Sequence, residues 1–364
     1  MPESSRIVLL FGGCSVEHEV SIRSARTVLL ALRERDEKVL PVAIDRDGVW
    51  FTADNPLHVY REEGAEGARF PARLHPGAGG ALRIGEGSAA WTAEPEIYLP
   101  LVHGTGGEDG SLQGVLEAAQ AAYAGSGVLA SALAMDKAMA KGILKQAGLP
   151  VLEGRTVTAA AWARNPEAVL DGLDRWSGAP VFVKPCNGGS SVGVARAAGK
   201  EARRAAIENA LCYDVRILVE PALAAREIEV SVLGNEEPRT SMPGEIVPSR
   251  DFYDYTAKYV DGQTRLLVPA PLARAQAEEI RRLAGDAFQA LDGSGFGRVD
   301  FLLEKETGRA YISEVNTIPG FTDISMYPRL WEASGMSLGD LLDEIVRLGL
   351  ERHEARQKLR RSML

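Results

Sequence analysis

The residues best suited to chemistry lie in the C-terminal third. They are Gly297-Arg298-Val299-Asp300-Phe301 and, after a short connection, Ser313-Glu314-Val315-Asn316. Along a strand, positions i and i+2 share a face. Arg298 and Asp300 therefore point one way while Val299 and Phe301 point into a core, and Glu314 and Asn316 share a face on the next strand. The Glu304–Gly308 connection suits a hairpin, with Gly308 able to take the left-handed position of a three-residue loop. Centred on Thr307, that loop sets Asp300 opposite Glu314 and Arg298 opposite Asn316. Two carboxylates and an amide oxygen then meet on one face, a hard-oxygen set suited to Mg²⁺ carrying nucleotide phosphates. The competing reading is the polar solvent face of an antiparallel sheet. The arginine beside two acids, followed by Thr317-Ile318-Pro319-Gly320, argues against it.

Four further segments carry reactive groups. Val181 to Pro185 reads as a strand that delivers Lys184 to a glycine loop, Cys186-Asn187-Gly188-Gly189-Ser190-Ser191-Val192-Gly193. Successive N–H groups of such a loop can wrap phosphate oxygens. It is not a Walker A loop, because the lysine precedes the glycines and no GK[ST] opens a helix. The segments Gly12 to Ser21 and His103 to Gly110 each follow a strand, where a parallel sheet offers its ligand edge. Glu17 in the first can cap its own helix, and His103 in the second has no neighbouring histidine to make a metal pair. Phe252 to Tyr259 packs aromatics and Lys258 into a stretch that is neither a clean strand nor a clean helix. It suits a closing loop.

The elements that must position these groups alternate. Arg6 to Phe11, Lys38 to Ile44 and Glu96 to Val102 read as strands. Val16 to Arg35, with Ser15 as N-cap, and Ser111 to Tyr123 read as helices, which together give a parallel sheet with crossovers. Tyr60 to Ala90 is a Gly-, Arg- and Glu-rich excursion that suits a hairpin pair. A Gly/Ser-rich stretch from Ala124 to Ser131 marks a boundary. Beyond it, helices are expected over Ala132 to Ala147, Lys200 to Leu211, Leu272 to Leu291 and Ser337 to Leu364. Strands are expected over Pro180 to Pro185, Ile217 to Glu220, Glu227 to Gly234, Gly297 to Leu303 and Arg309 to Asn316. The resulting division is 1–128, 129–223 and 224–364.

Composition narrows the classes. The chain has 364 residues, 45% hydrophobic and 25% charged, which excludes a disordered or collagen-like chain. Lys plus Arg is 41 against 50 for Asp plus Glu, and the net charge of −9 disfavours a general nucleic-acid binder. Three cysteines, Cys14, Cys186 and Cys212, show no CxxC spacing and fit a reducing compartment. Cys14 and Cys186 adjoin the candidate loops, and Cys212, following a helix, is expected to be packed. No signal segment or membrane span is read. The expectation is a soluble cytoplasmic protein with no nucleic-acid or membrane partner.

Taken in order, GGCSVEHEVS, HGTGGEDGSLQG, MDKAMAK, VKPCNGGSSVGV, AREIEV, DYTAKY, GRVDF and EVNTIPGFTDISMYP closely resemble the D-alanine–D-alanine ligases, which are ATP-grasp carboxylate–amine ligases. The likeness runs nearly end to end, and the 60–90 excursion carries none of it. It implies an α/β ATP-grasp fold with an N-terminal Rossmann-like parallel-sheet domain, and synthesis of D-alanyl-D-alanine through an acyl phosphate. It also implies ATP as co-substrate, two Mg²⁺ (or Mn²⁺) ions and a homodimer. Residue by residue, Lys137 and Lys184 resemble the lysines on the ATP phosphates, with the loop Gly188, Gly189, Ser190 and Ser191. Glu220 to Leu223 resembles the adenine hinge and Glu227 the ribose-binding acid. Asp300, Glu314 and Asn316 resemble the metal ligands. Glu17 resembles the group on the first substrate's ammonium, with His103 nearby and Ser190 and Tyr259 hydrogen-bonded to it. Arg298 and the Gly320 N–H resemble the oxyanion stabilisers. Lys258, next to the nucleotide, Ser325 and the Met326 backbone resemble the second substrate's carboxylate site. The rivals are a same-fold ligase making D-alanyl-D-lactate or D-alanyl-D-serine, and a nucleotide-binding regulator that has lost catalysis. The intact Arg298, Asp300, Glu314 and Asn316 argue against the regulator.

Overall fold

The computed structural model describes residues 6–53, 69–248 and 264–360. Lys258, Tyr259 and the rest of the Phe252–Tyr259 segment lie outside these residues, as does the start of the 60–90 excursion.

Three sheets organise the chain. The first has seven strands, in the order Trp91–Ala93, Leu82–Ile84, Arg69–Leu74, Trp50–Ala53, Val39–Ile44, Ile7–Gly12 and Ile97–Pro100. Ile7–Gly12 runs parallel to both Val39–Ile44 and Ile97–Pro100. All six of its residues are buried, as expected of a strand covered on both faces. Its alternation sorts the two cores. Ile7, Leu9 and Phe11 face helix His18–Glu34 and the distant C-terminal helix Leu338–Gln357, while Val8 and Leu10 face Tyr98, Leu112 and Leu116. In its described part the excursion forms an antiparallel hairpin, Arg69–Leu74 with Leu82–Ile84, which continues into Trp91–Ala93 and joins this sheet through Trp50–Ala53.

The second sheet is antiparallel, in the order Ala195–Ala197, Val181–Pro185, Arg216–Pro221 and Arg155–Thr158. Helices Pro166–Trp176 and Lys200–Ala210 cover one face through Leu170, Leu173 and Ile207. The third sheet runs Arg265–Leu267, Gly244–Val247, Ala225–Gly234, Gly295–Glu304 and Ala310–Asn316, all antiparallel, with Arg239–Thr240 beside Ala225–Gly234. Helix Arg274–Ala290 fills its core face with Ile280, Leu283, Ala287 and Phe288.

Several local expectations are corrected. The single helix over Ala132 to Ala147 is two, Val128–Met135 and Lys137–Gln146. Asp136 breaks it: its backbone is extended, and its carboxylate accepts from the N–H groups of Ala138 at 3.1 Å and Met139 at 3.0 Å. An acidic N-cap thus starts a new helix with Lys137 in its first turn. The Ser111 helix ends at Ala118, short of Tyr123. Ser15 is not the N-cap of the first helix. Glu17 occupies that position without capping through its side chain, and the Ser15 hydroxyl donates to the His103 carbonyl at 2.7 Å. Cys212 is exposed rather than packed, because Lys200–Ala210 ends before it and the chain turns outward.

Candidate active site

A cavity of about 290 Å³ opens where the three sheets converge. Glu17, His103, Lys137, Lys184, the loop from Gly188 to Ser191, Glu220, Leu223, Glu227, Arg298, Asp300, Glu314, Asn316 and Gly320 all line it. Ser325 and Met326 do not. The Ser325 hydroxyl bonds Thr322 and lies behind Gly320, where an added Cβ would come within 2.8 Å of it. The Met326 side chain is buried with Ile246 and Leu330.

The acidic floor comes from register. Glu229 pairs with Asp300, and Asp300 with Glu314, so three carboxylates form a row across neighbouring strands. Arg298 and Asn316 form the adjacent row. The Arg298 guanidinium donates to both oxygens of Asp300, at 2.6 and 2.7 Å, and stands 3.1 Å from Glu229. The Asn316 amide donates to Asp300 at 3.0 Å. The expected pairing of Asp300 with Glu314 therefore holds, although the hairpin itself is shorter by half a step. Phe301 pairs with Ile312, and Ser313 is an extra residue that bulges and restores the register at the site.

The lysines sit on the opposite wall. Lys137, at the start of its helix, donates to the Gly188 carbonyl at 2.7 Å and lies 3.6 Å from Glu314. Its own N–H bonds the Cys186 carbonyl at 3.0 Å, which ties the helix start to the glycine loop. Lys184 reaches Glu220 at 2.8 Å, and Lys141, which sequence reasoning passed over, reaches the other oxygen at 2.6 Å. Burial opposes the Glu220 charge, but the two ammonium groups hold its carboxyl down at about 2. Burial likewise opposes the Lys184 charge, and Glu220 outweighs it, leaving Lys184 above its ordinary value. For Lys141 burial wins, and it is lowered. Met135, Phe182 and Leu302 give the same cavity an apolar lining of the kind a flat ring packs against.

The third wall belongs to the first sheet. Glu17 is buried, and its Oε1 accepts from the Ser190 hydroxyl at 2.5 Å, joining the first helix to the glycine loop. Its Oε2 is buried without a hydrogen-bond partner among the described residues. Gly104 and Gly189 make room for it: a Cβ at either would come within 2.6 or 2.0 Å of that oxygen. Ser190 and Ser191 both have positive φ, +50° and +58°, a conformation that residues with a side chain adopt uncommonly.

Burial pushes His103 below its ordinary value. Glu108, also passed over, lines the cavity, and desolvation with the nearby Glu17 charge pushes its carboxyl up to about 8. Cys186 is fully buried and burial raises its thiol to about 11, whereas Cys14 is exposed.

Among the described residues no three His, Cys, Asp or Glu side chains are grouped to hold a metal ion by themselves. Two carboxylates and an amide oxygen, completed by phosphate and water, are the donors Mg²⁺ prefers, and they are what Asp300, Glu314 and Asn316 offer. Among the described residues no helix is long and apolar enough to cross a membrane.

The comparisons agree with this geometry. The family model described as D-ala D-ala ligase N-terminus matches residues 6–126, and that described as D-ala D-ala ligase C-terminus matches residues 143–347. A D-alanine–D-alanine ligase of Heliobacterium modesticaldum is 45% identical over 357 residues, 97% of this chain and 96% of the relative. One from Geobacillus kaustophilus is 42% identical over 98% of this chain and 97% of its own length. Among solved structures, the D-alanine–D-alanine ligase of Coxiella burnetii superposes with a TM-score of 0.84 at 34% identity, covering 98% of this chain and 97% of its own. The VanG D-Ala:D-Ser ligase of Enterococcus faecalis does so with 0.83 at 30% identity, covering 95% and 100%. The architecture is the ATP-grasp fold of these ligases, and the chain belongs to the D-alanine–D-alanine ligase family.

Proposed function

We propose that the protein joins two D-alanines at the expense of ATP, releasing ADP and phosphate, in bacterial peptidoglycan precursor synthesis. The observation that carries this reading is the buried Glu17 Oε2, unpartnered among the described residues and open to the same cavity as Lys137, Lys184 and Arg298. A buried carboxylate oxygen without a donor is costly unless a ligand supplies one, and an α-ammonium does.

In this reading the first D-alanine docks its ammonium on Glu17, with His103 nearby and Ser190 and Tyr259 holding that carboxylate. Its carboxylate oxygen attacks the γ-phosphorus of ATP, the bond to the ADP oxygen breaks, and an acyl phosphate forms. Lys137, Lys184 and the loop N–H groups from Gly188 to Ser191 offset the phosphate charge. Glu220 through Leu223 meets adenine and Glu227 the ribose. Asp300, Glu314 and Asn316 would hold Mg²⁺ or Mn²⁺, two ions, which when bound neutralise the repulsion between carboxylate and γ-phosphate. The second D-alanine, held by Lys258, Ser325 and the Met326 backbone, attacks the acyl carbon as a free amine. Arg298 and the Gly320 N–H stabilise the oxyanion, phosphate leaves, and the amine gives up its proton. The glycine loop and the Phe252–Tyr259 segment exclude water, which would otherwise hydrolyse the acyl phosphate. The working units are 1–128 for the first substrate, 129–223 for the nucleotide and 224–364 for metal and acceptor, in a cytoplasmic homodimer.

ADP release and products are measured in parallel with D-alanine, L-alanine, D-lactate and D-serine. D-alanine should give ADP and dipeptide in equal amounts, with little turnover of the others. Absence of ADP with D-alanine, or ester outpacing dipeptide when D-lactate is added, would overturn the reading.

A further inference from the structure

The segment after the last strand of the third sheet carries Gly320, and its backbone is held at three points by the first unit. Ile318 N–H donates to Glu108 Oε1 at 3.0 Å. The Ile318 carbonyl lies 2.9 Å from His103 Nδ1. Phe321 N–H donates to the Ser24 hydroxyl at 3.1 Å, and that hydroxyl lies 3.0 Å from His103 Nε2. A carbonyl only accepts, so Nδ1 carries the proton. Nε2 then accepts from Ser24, and the Ser24 oxygen accepts from Phe321. The proton order is closed and needs a neutral imidazole. Ser24 and His103 are 0% and 3% exposed. The second Glu108 oxygen accepts from Gly104 N–H at 2.7 Å, and Gly104 lies against Glu17.

Gly320 therefore sits between anchored neighbours, Ile318 and Phe321, and all the anchors belong to the unit that carries Glu17. We propose that Glu108 is a positioning residue: with Ser24 and His103 it fixes the Ile318–Phe321 backbone and so aims the Gly320 N–H at the acyl carbon's oxygen. This rests on the reading of Gly320 and Arg298 as oxyanion stabilisers. It adds that the first-substrate site and the oxyanion site form one frame, spanning two units of the chain. Displacing a donor by about 1 Å at a reacting centre costs roughly 100-fold in rate, so the frame acts on ligation rather than on ATP binding.

Glutamine at 108 keeps the shape but can accept only one of the two N–H groups, since its amide nitrogen, unlike either oxygen of the carboxyl in the acid or ionised form, has no lone pair to offer. For Glu108→Gln the expected result is a kcat lower by about 10- to 100-fold, an ATP KM within about twofold, and ADP released in excess of dipeptide as stranded acyl phosphate hydrolyses to D-alanine and phosphate. Ser24→Ala should do the same, and Ser24→Thr, which keeps the hydroxyl, should restore coupled turnover. A kcat unchanged in Glu108→Gln and Ser24→Ala would overturn the proposal, as would an ATP KM rising in step with the loss while ADP and dipeptide stay equal. Arg298→Ala separates the two claims. If it blocks dipeptide formation while the Glu108 and Ser24 variants stay coupled, the positioning role alone fails. If Arg298→Ala leaves ligation intact, the oxyanion reading fails first.

Discussion

Replacing Glu220 by glutamine tests the buried charges most sharply. Glu220 is 1% exposed, on a strand of the second sheet, with Lys184 at 2.8 Å and Lys141 at 2.6 Å. Lys141 belongs to the helix packed on the third sheet and also approaches the Ile312 carbonyl there, at 3.4 Å. The substitution leaves two buried ammonium groups facing each other without the carboxylate they share, with only the more distant Glu314 and Glu227 to offset them, and breaking such a buried pair typically costs roughly 3–5 kcal/mol. An independent figure comes from the carboxyl itself. Burial raises it and the lysines more than offset that, so its net fall from an ordinary 4.5 to about 2, at about 1.4 kcal/mol per pH unit, is roughly 3 kcal/mol of net stabilisation. Because the folded value is the lower one, this contribution is fully present above about pH 4.5 and is lost as pH falls toward 2. The assay is urea denaturation at pH 7 followed by tryptophan emission, since Trp162 and Trp176 pack in the second-sheet core. Glu220→Gln should lose about 3 kcal/mol, and adding Lys141→Met should recover at least about 1.5 kcal/mol of it. The wild type alone should show the added loss below pH 4.5. A single variant within about 0.5 kcal/mol of wild type, or additive behaviour of the pair, would refute the reasoning.

Three further outcomes are expected. Asp300→Asn should lower turnover by about 100- to 1,000-fold with the fold retained, since the side chain faces the cavity and not the core; near-normal activity with unaltered Mg²⁺ dependence would count against it. Gly189→Ala drives a methyl to within 2.0 Å of Glu17 Oε2, so the KM for the first D-alanine should rise by about tenfold or more while that for ATP changes little, as steady-state kinetics would show. A thiol reagent should modify Cys14 and Cys212 in the native protein and reach Cys186 only in denaturant, which intact-mass measurement reads directly.

Much of the site was legible because its parts are local. The alternation in GRVDF and SEVN put the ligating groups on one face, and the strand leading into the glycine loop announced Lys184. What escaped depends on contacts between distant segments. Glu229 joins Asp300 only through the pairing of Ala225–Gly234 with Gly295–Glu304, whose register no nearby turn dictates. Lys141 reads as one more polar helix position until Glu220 is folded against it. Glu108 reads as part of an acidic loop, and its partner Ile318 is 210 residues away. The hairpin is instructive in another way. A loop centred on Thr307 predicts the pairing at the site, but only because the bulge at Ser313 compensates for a turn centred elsewhere.

The seat of helix Leu338–Gln357 has a consequence for biosynthesis. Its Leu341, Leu342, Ile345, Val346 and Leu348 cover the side of the first sheet that Ile7, Leu9 and Phe11 present. As the chain emerges from the ribosome, that face is made before its cover, which comes more than 300 residues later. At ~5–20 residues per second the interval is roughly 15–65 s. Throughout it that apolar face has helix His18–Glu34 against it but lacks the larger cover the C-terminal helix supplies. Until that helix is made, part of the face stays open to association with other chains. Shortening the chain before residue 338 should leave the whole first unit, not merely the tail, in the insoluble fraction.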